Sequence, residues 1–237
     1  MKIKKELLQQ FARETALSGE HSLKEVKLNF KKEGLEMTCV TEGNHIYINA
    51  VMPSSSFEDY AELGEIAILN YTELQKVIAT MNEDISIKRE GNFLVLRGGR
   101  KVDIPLANPD LIKTINKAPK FEYPNTITIN KKFFEDISNN LSFSLNKSDA
   151  IVIEFEGEGD TLKATYGTKY KFEDAINVKI AEKFKAKYGL SLLNAVANIT
   201  GDLSVSIKQG AENQGFPATI EKASDMYTLK IIIAPRV

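Results

Sequence analysis

One order of elements is written through this chain twice, and that repetition limits the folds open to it. An amphipathic helical stretch from Lys2 to Leu17 precedes strand-like runs at Glu25–Phe30, Leu35–Val40 and Ile46–Val51. A second helical stretch, Tyr71–Met81, leads into runs at Ile85–Arg89, Phe93–Arg97 and Lys101–Leu106. The second half repeats the series: helix Lys131–Phe143, strands Ala150–Glu156, Leu162–Tyr166 and Tyr170–Val178, helix Gly189–Ile199, then strands Leu203–Lys208, Ala218–Lys222 and Tyr227–Ile233. Within the runs apolar and polar residues alternate, as in Val26, Leu28, Phe30 or Ile151, Ile153, Phe155, the period of a half-buried strand. Turn signals separate them at Glu33-Gly34, Glu42-Gly43-Asn44, Glu90-Gly91-Asn92 and Glu156–Asp160. The reading is an α+β chain of two duplicated domains, 1–106 and 125–237, each with two helices packed on antiparallel sheets. Residues 107–124 join them. Pro109, Pro119 and Pro124, with Leu111, Ile112 and Ile115 in no sustained period, mark that segment as an exposed connector.

Neither copy carries a catalytic cluster, which points to a scaffold and away from an enzyme. His21 and His45 are far apart in sequence and have no cysteine nearby to complete a zinc set. Arg97-Gly-Gly-Arg100 lacks the spacing of a phosphate loop and reads as a hairpin turn. Ser54-Ser55-Ser56 has no nucleophile elbow, and Glu58-Asp59 and Glu173-Asp174 have no histidine partner. No cofactor or metal is expected. The lone Cys39 excludes an internal disulfide and suggests an intracellular protein, in the cytoplasm of a prokaryote or virus-infected cell or in a nucleus. No apolar run approaches the roughly 18 residues of a spanning helix, and the first residues read as no signal peptide.

With 31 basic and 32 acidic residues the chain has no bulk attraction for nucleic acid. Any contact with DNA requires charges sorted onto one surface. The helices offer such a sorting. Ile3, Leu7 and Phe11 share one face of the first, opposite Lys2, Lys5, Gln9 and Arg13; Lys76 lies opposite the apolar stripe of the second; Lys131 and Lys132 open the third. A plainly solvated helix face is the alternative for any one of these lysines, and their recurrence over several helices weighs against it.

Three short segments carry a resemblance. Gly34-Leu-Glu-Met-Thr-Cys-Val40, a turn, and His45-Ile-Tyr-Ile-Asn-Ala-Val51 form an early hairpin; Phe216-Pro-Ala-Thr-Ile-Glu221 is a late strand; and Lys230-Ile-Ile-Ile-Ala-Pro-Arg-Val237 ends the chain. Together with the duplicated order, these resemble the DNA sliding clamps of the PCNA type, archaeal, eukaryotic or phage-like, over essentially the whole length. Where that family has an aromatic residue before Ala-Pro, this chain has Ile232 and Ile233.

The resemblance implies a clamp fold with two domains per subunit, so that three chains close a ring around double-stranded DNA without sequence specificity. It implies a clamp loader, a DNA polymerase and further replication and repair proteins as partners. The partners would dock short peptides in a groove lined by Val40, His45, Ile46, Ile112, Pro217, Ile232, Ile233, Ala234 and Pro235. In such a ring, Lys2, Lys5, Arg13, Lys76, Lys131 and Lys132 are expected to contact the DNA, from their placement opposite the apolar stripes. The homotrimer would be joined edge to edge between Lys101–Leu106 and Lys169–Ile176, with Val102, Ile104, Tyr170 and Phe172 at the contact. The competing readings are a specialised or checkpoint-type paralogue in a hetero-oligomeric ring, and a β-rich interaction module that does not bind DNA.

Overall fold

Alternating apolar residues and short turns account for most of the architecture. The computed structural model describes residues 1–112, 114, 119–141, 152–167, 171–196, 199–210 and 215–236. In chain order the first half holds β1 (Lys2–Ile3), α1 (Lys5–Thr15), β2 (Val26–Lys31), β3 (Gly34–Val40), β4 (Ile46–Pro53), β5 (Gly64–Ile68), α2 (Tyr71–Ala79), β6 (Ile85–Glu90), β7 (Phe93–Arg97) and β8 (Lys101–Pro105). The second holds β9 (Asn125–Ile129), α3 (Lys131–Leu141), β10 (Val152–Glu158), β11 (Thr161–Tyr166), β12 (Phe172–Asn177), β13 (Phe184–Gly189), α4 (Leu190–Val196), β14 (Leu203–Ile207), β15 (Ala218–Ala223) and β16 (Thr228–Ile233). Each half therefore runs βαββββαβββ.

The strands absent from the sequence reading fall at matching places in the two copies: β1 with β9, and β5 with β13. In β13 the buried residues Phe184, Ala186 and Tyr188 alternate with exposed Lys185 and Lys187, and the small Ala186 thins the apolar signal. At the amino terminus, Lys2 and Ile3 pair with Ser86 and Ile85 of β6. These two residues are thus a strand and not the first turn of a helix, which starts at Lys5.

Three antiparallel sheets result, in the orders β1-β6-β7-β8, β12-β11-β10-β13 and β5-β2-β3-β4-β16-β15-β14-β9. The eight-stranded sheet crosses between the halves, because β4 pairs with β16 from Thr228 opposite Val51 to Ile233 opposite Ile46. Phe11, Met37, Ile48, Met52 and Tyr71 are buried in the first half, and Tyr166, Phe184 and Tyr188 in the second. Helices α1 and α2 lie side by side, tied by Gln75 Nε2 to Ala12 O (2.9 Å) and by a Thr15–Tyr71 hydroxyl bond (2.7 Å). Asn70 caps α2 by accepting from Glu73 N and donating to the Glu73 carboxylate, each at 3.0 Å, and Asn130 caps α3 by accepting from Phe133 N at 3.1 Å. Among the described residues no helix is long and apolar enough to cross a membrane.

Candidate functional site

Three surfaces collect the residues singled out in the sequence. The first is a row of helices. On α1, Lys5, Gln9 and Arg13 recur every fourth residue, so they share a face; Gln9 and Arg13 are exposed and Lys5 is half-buried. Lys76 is exposed on neighbouring α2, and Lys132 on α3. The turn after α1 meets α4, where Ser18 Oγ donates to Asn194 O at 2.8 Å and His21 bonds Ser191 Oγ at 3.2 Å. Helices α2 and α1 are neighbours, and the turn after α1 links this row to α4 in the second half. Lys2 leaves this group. It sits on β1, with its ammonium 3.8 Å from Glu58 and 4.0 Å from Asp84. Lys131 opens α3, and its side chain lies outside the described residues.

The second surface follows the connector. Ala234 N donates to His45 O at 2.9 Å, extending the β4–β16 ladder by one bond. Beneath it Ile46 and Ile233 face each other and are fully buried, and Ile232 is 6% exposed. Ile46 and Ile233 were expected on a groove wall; they belong to the core, because the two halves share one sheet at this point, whereas Ile232 lies beside Tyr47 on the other face of the sheet, outside the core cluster. Val40 and the buried Ile112 line a cavity of about 480 Å³ with His21, Leu23, Thr41 and Asn44. Chain folding brings the two histidine rings to 6.4 Å, yet no group of three potential metal ligands occurs among the described residues. Burial pushes the His21 imidazole below its usual pKa.

At the far end of the connector an aromatic patch forms that the sequence reading missed. Phe121, Tyr123 and Phe216 pack edge to face with centroids 5.4–6.2 Å apart. Tyr123 Oη donates to Pro217 O at 3.0 Å, and Lys208 Nζ lies 3.9 Å over the Phe216 ring. Gly215 is required here, since a Cβ on it would stand 2.3 Å from Pro235. The available signal was Phe121-Glu-Tyr-Pro124, which holds both aromatics of the connector at its far end.

The third surface consists of two sheet edges. Four of the six outer strands are each met at one residue by a further segment: β1 exchanges bonds with Glu58, Ala107 N donates to Ala67 O of β5, Arg236 N donates to Lys187 O of β13, and the Asn125 side chain of β9 bonds the backbone of Ala181 and Glu182. Among the described residues β8 and β12 have no such cover. Beside β8, Leu69, Leu74, Val77, Val102 and Ile104 line a cavity of about 450 Å³. On β12, Phe172 is partly buried and stacks on Tyr166 at 5.5 Å. Tyr170 lies outside the described residues. Bare edges are liabilities unless a partner strand meets them.

Two βαββββαβββ halves sharing a sheet, with one open edge at each end, make a sliding-clamp fold. Solved structures match it over 100% of this chain: PCNA from Entamoeba histolytica (TM-score 0.83, 13% identity, 98% of that chain), A. fulgidus PCNA bound to the C-terminal region of FEN-1 (0.81, 16%, 97%) and the PCNA2–PCNA3 complex from Sulfolobus tokodaii (0.74, 16%, 99%). In sequence the chain is a relative of the DNA polymerase sliding clamps. It is 24% identical to that of Methanosarcina mazei over 232 residues and to that of Pyrococcus horikoshii over 230, each covering 90% of this chain and 89% of the relative. No family model matches the chain.

Proposed function

We propose that this chain is a DNA sliding clamp: three copies close a ring around duplex DNA and tether a polymerase and other replication and repair proteins, without catalysis of their own. Each copy comprises domains 1–106 and 125–237 joined by 107–124. The observation that carries the reading is the correspondence between the internal β4–β16 junction and the two bare edges. Through the repeat, β8 is the counterpart of β16, and β12 the counterpart of β4.

The repeat also yields a register. Ile3 pairs with Ile85 as Ile129 does with Leu203; one residue on, Ser86 pairs with Arg97 as Ser204 does with Glu221; Arg97 then pairs with Lys101 as Glu221 does with Lys230. Lys101 thus stands where Lys230 stands. The tight turns Lys31–Gly34 and Glu158–Thr161 match, and from them Gly34 pairs with Pro53 as Thr161 does with Asn177, so Glu173 stands where Asn49 stands. Lys230 faces Asn49 across the internal junction. By this register one chain sets Lys101 opposite Glu173 of the next, Asp103 opposite Lys171 and Val102 over Phe172. Both exposed pairs are oppositely charged, and the inward pair is apolar. Such self-complementarity favours identical copies over a hetero-oligomeric ring.

The helix row supplies Lys5, Arg13 and Lys76 toward phosphates, and α3 adds Lys132, an attraction blind to sequence and weak enough to permit sliding. The near-neutral total charge suits a protein held by topology. The topological test loads the protein onto nicked circular DNA with a clamp loader and ATP, then cuts the circle. Loss of bound protein on cutting is expected. Equal retention on linear DNA overturns the reading.

Partner peptides fit the connector side through His45, Pro217, Ala234, Pro235 and the Phe121–Tyr123–Phe216 patch, which offers aromatic anchor sites. A contrast separates core from groove here. Ile46→Ala is expected to lower unfolding free energy by about 2–5 kcal/mol in denaturant titration. Phe121→Ala is expected to leave stability nearly unchanged and to weaken a polymerase C-terminal peptide by about 1–3 kcal/mol in calorimetry. Unaltered affinity in the second variant moves the partner site elsewhere.

A further inference from the structure

Glu14 is the most deeply buried carboxylate described, 1% exposed on the apolar side of α1 among Leu7, Phe11 and Ala12. An unpartnered charge there is costly. Its partners come mostly from the other half of the chain. Lys222 Nζ of β15 reaches its two oxygens at 2.9 and 2.7 Å, Tyr227 Oη donates at 2.6 Å, and both Thr200 N (3.1 Å) and Thr200 Oγ1 donate to it. From its own helix only Gln10 contributes, at 3.0 Å. Lys222 in turn bonds Thr200 Oγ1 and Tyr227 Oη, each at 3.2 Å. Burial raises the Glu14 pKa, and the bonds from Lys222, Thr200, Tyr227 and Gln10 outweigh it, so the carboxyl is held below its usual range and charged at neutral pH.

We infer that this cluster is a positioning element that sets the angle between the two halves, and with it the fit of the closed ring. The inference rests on the ring reading above. The β4–β16 ladder ties the halves along one line within a sheet, and a single line of bonds tolerates rotation about itself. The Glu14 cluster adds a buried tie from the helix layer to the Ser18–Asn194 and His21–Ser191 bonds, with directional bonds to three residues of the second half. The apolar contact across the same boundary, Phe11 against Tyr227 with centroids 5.5 Å apart, tolerates sliding. In a three-chain ring any error in this internal angle occurs three times, and the three edges between copies must absorb it.

A stability role alone makes a different forecast. Breaking one partner of a buried ion pair destabilises, whereas replacing both by apolar residues of similar size is often neutral. The experiment compares wild type, Glu14→Gln and the double variant Glu14→Leu with Lys222→Met, reading melting temperature and the concentration at which trimer falls to monomer in light scattering. In the double variant a near-native melting temperature is expected with a dissociation concentration raised by about tenfold or more, the scale of coupling among neighbouring groups. Recovery of both quantities overturns the inference. Should the double variant not fold, Tyr227→Phe serves, since it removes the hydroxyl with its bonds to Glu14 and Lys222 and keeps the aromatic ring; an unchanged trimer there is equally fatal. A wild type that is monomeric at every concentration overturns the ring reading itself and this inference with it.

Discussion

An Asp103→Pro chain is expected to remain monomeric at concentrations where the wild type is a trimer, with an unchanged melting temperature for the isolated subunit. The reason lies in which way each backbone group of β8 points. Gly98 N donates to Arg100 O, and Leu106 N to Asn92 O. In an antiparallel pair bonded and non-bonded residues alternate, so Val102 and Ile104 spend their bonds on β7, and Lys101 and Asp103 turn theirs outward. By the same reasoning Val178 N to Asp160 O turns Glu173, and Lys171 beyond the strand end, outward on the β12 side. Proline at position 103 deletes an outward donor and costs the lone chain nothing in its ladder. Proline at 102 or 104, the substitution that an edge strand first suggests, breaks the β7–β8 hairpin and confuses unfolding with dissociation. The transferred register adds a second arm. Lys101→Glu places like charges opposite each other and weakens the trimer by roughly 0.2–1 kcal/mol per contact, and adding Glu173→Lys restores it. An Asp103→Pro trimer, or no rescue by the paired reversal, removes β8–β12 as the seam.

Reversing Lys5, Arg13 and Lys76 to glutamate is expected to reduce loader-dependent processive synthesis while leaving the trimer intact. Salt should matter less to this variant. Each lost phosphate contact lowers the slope of log affinity against log salt by about 0.9. Lys2→Glu is the control. Its ammonium already faces Glu58 and Asp84 across β1, so its reversal is expected to change the slope little. Equal slopes for the triple variant and wild type place the DNA contact off the helix row.

The strand order and the helix faces were legible because they rest on periodicity, which the chain states locally. Val26, Leu28 and Phe30 alternate without help from any distant residue. Short strands are less legible: two residues at β1 carry no period, and they form only because β6 offers Ser86 and Ile85 as partners. Burial at the junction was beyond local reading as well. Nothing near Ile46 says that Ile233, from the other end of the chain, will cover it. The same holds for Glu14, a helical glutamate like any other until Lys222 and Tyr227 arrive. The resemblance placed His45, Pro217, Ala234 and Pro235 near the connector, whereas the aromatic patch depends on Phe121 and Phe216 meeting across 95 residues of sequence.

The bond from Ala234 N to His45 O has a consequence for how such a ring opens. Ala234 ends the junction inside each subunit, and its counterpart in β8 under the repeat is Pro105, which has no N–H to give. The permanent seam within a chain can be sewn one stitch further than the seam between chains. In the proposed ring the internal junction has this extra bond, the Glu14 cluster and a covalent connector, so a loader that pries the ring apart is expected to part it between molecules while each molecule stays whole.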